Sequence, residues 1–130
     1  MPVYVEFRND ILFVTISGES TDDQLSAAVF AGYANSLFTP TTSVLLDARL
    51  SKANPSGEEV RRTCSKIIGR RPAGHSGKWA LVTAREPLQF GIGRMRGLTM
   101  TGFGVPMEVF TDVHMALAFL QSSGLPRESS

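Results

Sequence analysis

Side chains with the reach to do chemistry gather in one stretch of this chain, Ser43 to Arg62, SVLLDARLSKANPSGEEVRR. It reads as an apolar strand delivered straight into a capped helix. The C-terminal end of such a strand is where open α/β sheets hold their ligands. Asp47, Arg49, Lys52, Asn54, Ser56 and Gly57 all fall at that junction. Asp47 at a strand end is placed as a catalytic carboxylate would be, but no base, nucleophile or metal partner stands at a useful spacing. Its expected task is to pair with Arg49 or to accept from the following loop. Ser56 opens a helix, where a hydroxyl caps free N–H groups and where a phosphate would be stabilised by the helix dipole. The same N-terminus, flanked by Arg49 and Lys52 and approached by Arg94 and Arg96, is a candidate anion site. Phe90, Ile92 and Met95 are candidate apolar lining for an adjoining pocket suited to an amphiphile, although a Met and Phe stripe is more often core.

The remaining reactive residue types point to structure. Cys64 is the one cysteine, which excludes an intrachain disulfide and a multi-cysteine zinc site and suits a reducing compartment. It falls on the apolar stripe of a helix, so a buried, inert thiol is expected. His75 in a Gly-rich loop and His114 in the final helix have no partner at metal-ligand spacing, and neither a metal nor a cofactor is expected. Gly91-Ile92-Gly93 lacks the third spaced glycine and the strand-to-helix context of a nucleotide fingerprint.

Length and composition bound the frame that positions these residues. A chain of 130 residues with 42% hydrophobic and 19% charged residues is an ordinary globular domain, able to bury a core without staples. Its apolar runs, such as Ile11 to Ile16, are far short of the roughly 20 residues a membrane helix needs. With no leader-like N-terminus, a soluble cytoplasmic protein is expected. The net charge of +1 conceals an asymmetry. Residues 1–48 carry Arg8 against six acidic groups, while residues 49–96 carry eleven Lys and Arg against Glu58, Glu59 and Glu86. The basic third could steer toward phosphate, lipid headgroups or an acidic protein face, or its charges could meet those of the acidic third across the surface. No basic run is interleaved with aromatics, so nucleic acid is not an expected partner.

Along the chain, Val3 to Phe7 and Ile11 to Ser17 are β-branched and aromatic, and Arg8-Asn9-Asp10 turns between them. Thr21-Asp22-Asp23-Gln24 is a capping box ahead of Leu25, Val29, Tyr33 and Leu37, which predicts a helix over 22–37. Val44 to Leu46 is a continuous apolar strand of the kind buried on both faces. Ser56 to Glu59 is a second capping box, opening a helix over 57–70 with Val60, Cys64, Ile67 and Ile68 inward. A loop from Arg70 to Gly77 leads into a strand, Lys78 to Thr83. Between Pro87 and Gly104, three interior glycines at about 1 kcal/mol each predict an irregular or mobile element. Its apolar face would be Leu88, Ile92, Met95 and Leu98. Met107 to Phe110 is a last strand, and Asp112 starts a helix with Val113, Ala116, Leu117 and Leu120 inward. Residues 122–130 read as a flexible C-terminal tail after a single domain, 1–121. The order β-β-α-β-α-β-α-β-α calls for a mixed β-sheet with helices packed on it.

The element order, the GES-TDDQL helix start, the LLDAR and ALV strands, the FGIGRM segment and the closing VFTDVHMALAFL together resemble the STAS (anti-sigma-factor antagonist) superfamily, in its SpoIIAA-like single-domain bacterial branch. The resemblance covers residues 3–121 and implies a STAS-like α/β fold, one also compared with the lipid-carrying CRAL-TRIO domain. It further implies a phosphorylation switch, in which a partner kinase modifies a serine of an Asp-Ser-Ser-Gly motif at the third strand's junction with the second helix. Here that motif reads Asn54-Pro55-Ser56-Gly57. Pro55 stands at the usual phosphoacceptor and has no hydroxyl, which leaves Ser56 as the candidate phosphoacceptor and, on the residues alone, simply a helix cap.

The sequence therefore predicts a non-enzymatic regulatory module that works through an unidentified protein partner. The alternative is a binding protein for a small anionic or lipid-like ligand held near Arg49, Ser56, Phe90, Arg94 and Met95. A cleft of a few hundred Å³ at the junction would favour the ligand, and a flat junction the protein partner. The glycine-rich third helix is also a candidate homodimer contact.

Overall fold

Two positive-φ residues set the first architectural event. Asn9 (φ 53°) and Asp10 (φ 58°) form the two-residue turn whose twist matches paired strands, and so β1 (Val3–Arg8) folds back on β2 (Ile11–Gly18) in antiparallel register, Arg8 opposite Ile11. In this computed structural model, which describes residues 3–122, strand-helix alternation follows: α1 (Asp22–Ala34), β3 (Ser43–Ser51), α2 (Gly57–Gly69), β4 (Trp79–Thr83), α3 (Pro87–Gly102), β5 (Met107–Phe110) and α4 (Val113–Gln121). The strands lie side by side in chain order, antiparallel at β1–β2 and parallel thereafter. Most of the expected C-terminal tail, 123–130, falls outside the described residues.

Three helices cover one face of the sheet. Leu25 and Val29 of α1, Val60, Cys64 and Ile67 of α2 and Met100 of α3 bury against Leu12, Val14, Val44, Leu46 and Leu81. α4 alone packs on the opposite face, over β4 and β5, setting Ala116 and Leu120 on Ala80, Val82 and Leu45. Among the described residues no helix covers the β1 side of that second face.

Two boundaries depart from the sequence expectation. The first helix ends at Ala34 rather than at 37, because the Asn35 side chain accepts from the Leu37 N–H (2.9 Å) and offers the backbone a turn in place of another helical bond. Leu37 is left exposed instead of completing the apolar stripe. The third strand does not stop at Leu46 but runs nine residues, to Ser51.

The segment expected to be irregular is a regular 16-residue helix, α3. Glu86 caps it through the Leu88 and Gln89 N–H groups, and Pro87 takes the first turn, where its missing donor costs nothing. Two of its glycines face the sheet and permit close approach. A Cβ on Gly93 would stand 3.0 Å from Leu81, and one on Gly97 2.6 Å from Val109. The packing gained there offsets the glycine penalty that the sequence argument counted. Leu88 and Leu98, expected to face inward, are instead 50% and 67% exposed.

Candidate functional site

The residues singled out divide among three places, and the first is shaped by a bulge in β3 beyond Asp47. Thr15 of β2 pairs with Asp47 and Ser17 with Leu50, so β3 carries one extra residue between the two pairs. Bulges of this kind re-aim side chains near the ends of strands. Asp47 lies in register with Val82, which belongs to the α4 side, and so it points to the half-covered face. There its carboxylate accepts from the Arg49 backbone N–H (3.1 Å), Nε (3.0 Å) and Nη2 (2.8 Å), a chelated pair closed within the strand. Asp47 therefore sits within an extended strand rather than at its end, already engaged by the guanidinium expected beside it. Leu50, 68% exposed, and Tyr4, two strands away, share this face.

The second place is the cleft where the N-termini of α1 and α2 converge. It has a volume of about 400 Å³ and is lined by Glu19, Ser20, Thr21 and Asp22 on one side and by Lys52, Ala53, Asn54, Pro55 and Glu59 on the other. Both capping boxes form as the sequence predicts. Thr21 and Gln24 exchange bonds (3.1 and 2.7 Å), as do Ser56 and Glu59 (3.1 and 2.8 Å). The Ser56 hydroxyl is thus a helix cap at an exposed position, beside the cleft rather than in it. Lys52 is the one cation among the lining residues. One group is unaccounted for: the Ser20 Oγ is buried and has no hydrogen-bond partner.

Beneath the cleft lies a feature that the sequence reading missed. Asp22, the first residue of α1, accepts from Arg96 of α3 through both Nη atoms (2.8 and 3.2 Å) and from the Thr63 hydroxyl of α2 (2.7 Å). Both ionic side chains are 10% exposed. Burial pushes the Asp22 carboxyl up, but the Arg96 hydrogen bond and charge, with Thr63, outweigh it and hold the group below its ordinary value. This pair ties the three helices together and withdraws Arg96 from the anion site expected of it. Partial signals existed, since an acidic first turn invites a cation and Arg96 falls on the inward side of its helix. The apolar space between this pair and the sheet measures about 20 Å³, room for one water and not for an acyl chain.

The third place is the outer side of α3. Phe90 and Arg94 line an open groove of about 390 Å³ against β5, with Leu98, Thr101 and Glu108. Met95 turns the other way, toward α2, where a Cβ on Gly57 would stand 3.7 Å from its sulfur. Phe90, Met95 and Arg94 therefore do not line one pocket beside Ser56, because successive helical turns send them to different neighbours.

The other reactive types resolve as structure. Burial pushes the Cys64 thiol up to about 11, with Arg96 opposing, which leaves it protonated and unreactive. His75 is buried as well. Its Nε2 meets the Thr42 carbonyl (2.6 Å) and its Nδ1 accepts from Arg71 Nε (2.9 Å), an arrangement only the neutral Nε2–H tautomer satisfies. Among the described residues no group of three or more His, Cys, Asp or Glu could hold a metal ion, and no helix is long and apolar enough to cross a membrane.

Comparison with known proteins supports the architecture and nothing finer. No protein-family model matches the sequence, and no curated protein matches it. Among solved structures, an uncharacterized protein of the DUF3478 family with a SpoIIAA-like fold, from Shewanella loihica PV-4, is similar over 91% of this chain and 91% of its own, with a TM-score of 0.55 and 18% identity. Four helices set three against one on a five-stranded mixed sheet, in the order β-β-α-β-α-β-α-β-α, give this chain the STAS or SpoIIAA-like fold.

Proposed function

We propose that this protein is a non-enzymatic regulatory module that engages a protein partner through the half-covered sheet face and the β3–α2 rim beside it. The observation that carries this reading is the bare β1 side of that face. Tyr4 and Leu50 stand exposed there, next to the Asp47–Arg49 pair. An open face holding an aromatic, an aliphatic and a fixed ion pair suits an interface core better than a reaction centre. Asp47 and Arg49 are committed to each other and Ser56 to its cap, so these three are not poised to transfer a proton. Lys52, Asn54 and Ser56 continue the surface along the rim. Phosphate on Ser56 would accept from the same helix N-terminus and set negative charge beside Glu58 and Glu59, changing how a partner is held there.

A second reading draws on the cleft, whose volume of about 400 Å³ is of the size that favours a ligand, and on the unpartnered Ser20 hydroxyl. A small polar ligand bound between the two helix starts would satisfy that hydroxyl and take Lys52 and Asn54 as further contacts. The nearby Glu19, Asp22 and Glu59 favour a ligand that is not simply an anion.

Both readings are tested by isolating the protein from its own host with a photo-crosslinking residue at position 4, in place of the exposed Tyr4, followed by intact and native mass spectrometry. A specific partner that is lost in Leu50→Asp supports the first reading. A non-covalent small mass that is lost in Ser20→Ala supports the second. A bare chain, with neither adduct, overturns both.

A further inference from the structure

Thr42 leads into β3 and Gly77 into β4, so the loops that contain them meet at the end of the sheet opposite the β3–α2 rim. His75 joins them. Its ring is 8% exposed, donates from Nε2 to the Thr42 carbonyl (2.6 Å) and accepts at Nδ1 from Arg71 Nε (2.9 Å). Arg71 Nη2 also donates to the His75 carbonyl (2.8 Å), which fixes the guanidinium against the ring. The Ser76 N–H adds a second tie, to the Pro40 carbonyl (2.7 Å). The two loops approach so closely that a Cβ on Gly77 would collide with the Thr42 oxygen.

This arrangement requires a neutral ring. A proton on Nδ1 turns the acceptor of the Arg71 bond into a donor facing a donor, and sets a cation beside the guanidinium. Among the described residues no carboxylate pairs with the ring. The acid nearest in charge is Asp10 of the β1–β2 turn, and its oxygens already accept from the Thr39, Thr41 and Thr42 hydroxyls. From the other elements, Phe38 and Trp79 pack on the ring, Tyr33 spends its hydroxyl on the Ile67 carbonyl, and Lys78 turns to the Phe119 carbonyl. An imidazolium there has one carbonyl as acceptor and little water, which favours movement into solvent. The Trp79 Nε1, buried beside it without a partner, would gain water by the same movement.

From this geometry we infer that His75 is a proton-operated latch: its neutral ring clasps the 70–77 loop to the loop ending at Thr42, and protonation parts them while the sheet stays folded. The step is the binding of one solvent proton at Nδ1. The Arg71 bond is lost, the two cations separate into water, and Phe38 and Trp79 are left at the opened seam. Burial holds the closed-state pKa below the ordinary value, with Thr42 opposing and Arg71 adding to the effect. Opening therefore grows up to about tenfold per pH unit as pH falls from 6.5 to the closed-state value, and levels off below it. The latch lies away from the half-covered face and the cleft, so it rests on neither reading of function.

The test is amide hydrogen exchange of the full chain between pH 7.5 and 5, corrected for intrinsic rates and read at Thr42, His75 and Ser76, whose N–H groups are bonded in the closed state. Their protection falls on acidification by up to about tenfold per pH unit. At each pH they exchange faster than β2 and do not respond to low urea, the mark of an opening short of unfolding. His75→Gln, which offers Thr42 a donor and Arg71 an acceptor but takes no proton, shows no such fall. Arg71→Gln, which can accept from a protonated Nδ1, blunts it and keeps the test open if the first variant does not fold. His114→Gln, at an exposed position in α4, leaves it intact. Loop protection indifferent to pH overturns the inference, as does exchange that matches β2 in rate and urea response. So does a full response in His75→Gln or Arg71→Gln, or a His75 ring that titrates at or above 6.5 by NMR.

Discussion

Replacing Arg96 by Met tests whether the ion pair under the cleft holds the three-helix layer together. The substitution keeps most of the side-chain volume and removes the guanidinium, leaving the Asp22 carboxylate 10% exposed with only the Thr63 hydroxyl as partner. Removing one member of a buried pair costs about 3–5 kcal/mol, because the survivor remains desolvated and uncompensated. Asp22 also lines the open cleft, where water can reach it, so the lower end of that range, about 3 kcal/mol, is expected. For a domain of this size that corresponds to a fall in Tm of about 10 °C. The pH dependence supplies a sharper check. The folded-state carboxyl of Asp22 lies below its ordinary value of 3.8, so its contribution is fully present above that value and is lost as pH falls through the folded pKa. In Arg96→Met that contribution is already gone, so the gap between variant and wild type narrows as the medium is acidified from pH 7 toward pH 3. Urea unfolding at several pH values, read by fluorescence of the single tryptophan, Trp79, measures both effects. A loss under about 1 kcal/mol at pH 7, or a gap that does not change with pH, would refute the reasoning.

Three further outcomes follow from the same geometry. Ser56→Ala removes the hydroxyl that caps α2 and should destabilise the fold by about 1 kcal/mol, with faster amide exchange confined to the first turn. Burial, helped by Arg71, lowers the pKa of His75, although its bond to Thr42 opposes this, so the folded state favours the neutral ring. Stability should then fall as pH drops below the ordinary value of 6.5 and level off below the folded pKa. His75→Gln should flatten that slope between pH 7.5 and 5 in urea titrations, and an unchanged slope would remove His75 as its source. Gly97→Ala should cost about 1–3 kcal/mol, since its methyl would stand 2.6 Å from Val109, while Gly91→Ala should be neutral or stabilising.

How much of this was legible beforehand varies with how local the cause is. The Asn9-Asp10 turn, both capping boxes, the five strands and three of the four helices follow from neighbours a few residues apart, so the residue types carry them directly, whereas the regularity of α3 does not. The fold class was equally accessible, because an opening hairpin followed by alternating strands and helices leaves few packings. Asp47–Arg49 and the Ser56 cap are likewise short-range, two and three residues apart, and form as the residue spacing suggests.

Errors arose where a residue's value depends on something distant. A glycine counts against a helix in isolation and in favour of it when Leu81 or Val109 must lie against its backbone, and the linear sequence does not say which holds. Arg96 read as a free cation near an anion site because its partner, Asp22, is 74 residues away. The β3 bulge, which sends Leu50 to the half-covered face that Asp47 already reaches by alternation from Leu45, is a property of pairing with β2 and has no signature in β3 alone. The sequence by itself thus determined the elements, their order and their caps, because those depend on interactions along the chain. Which side chains meet, and so which surfaces are left open for a partner, was decided only when the sheet brought residues far apart in the chain into contact.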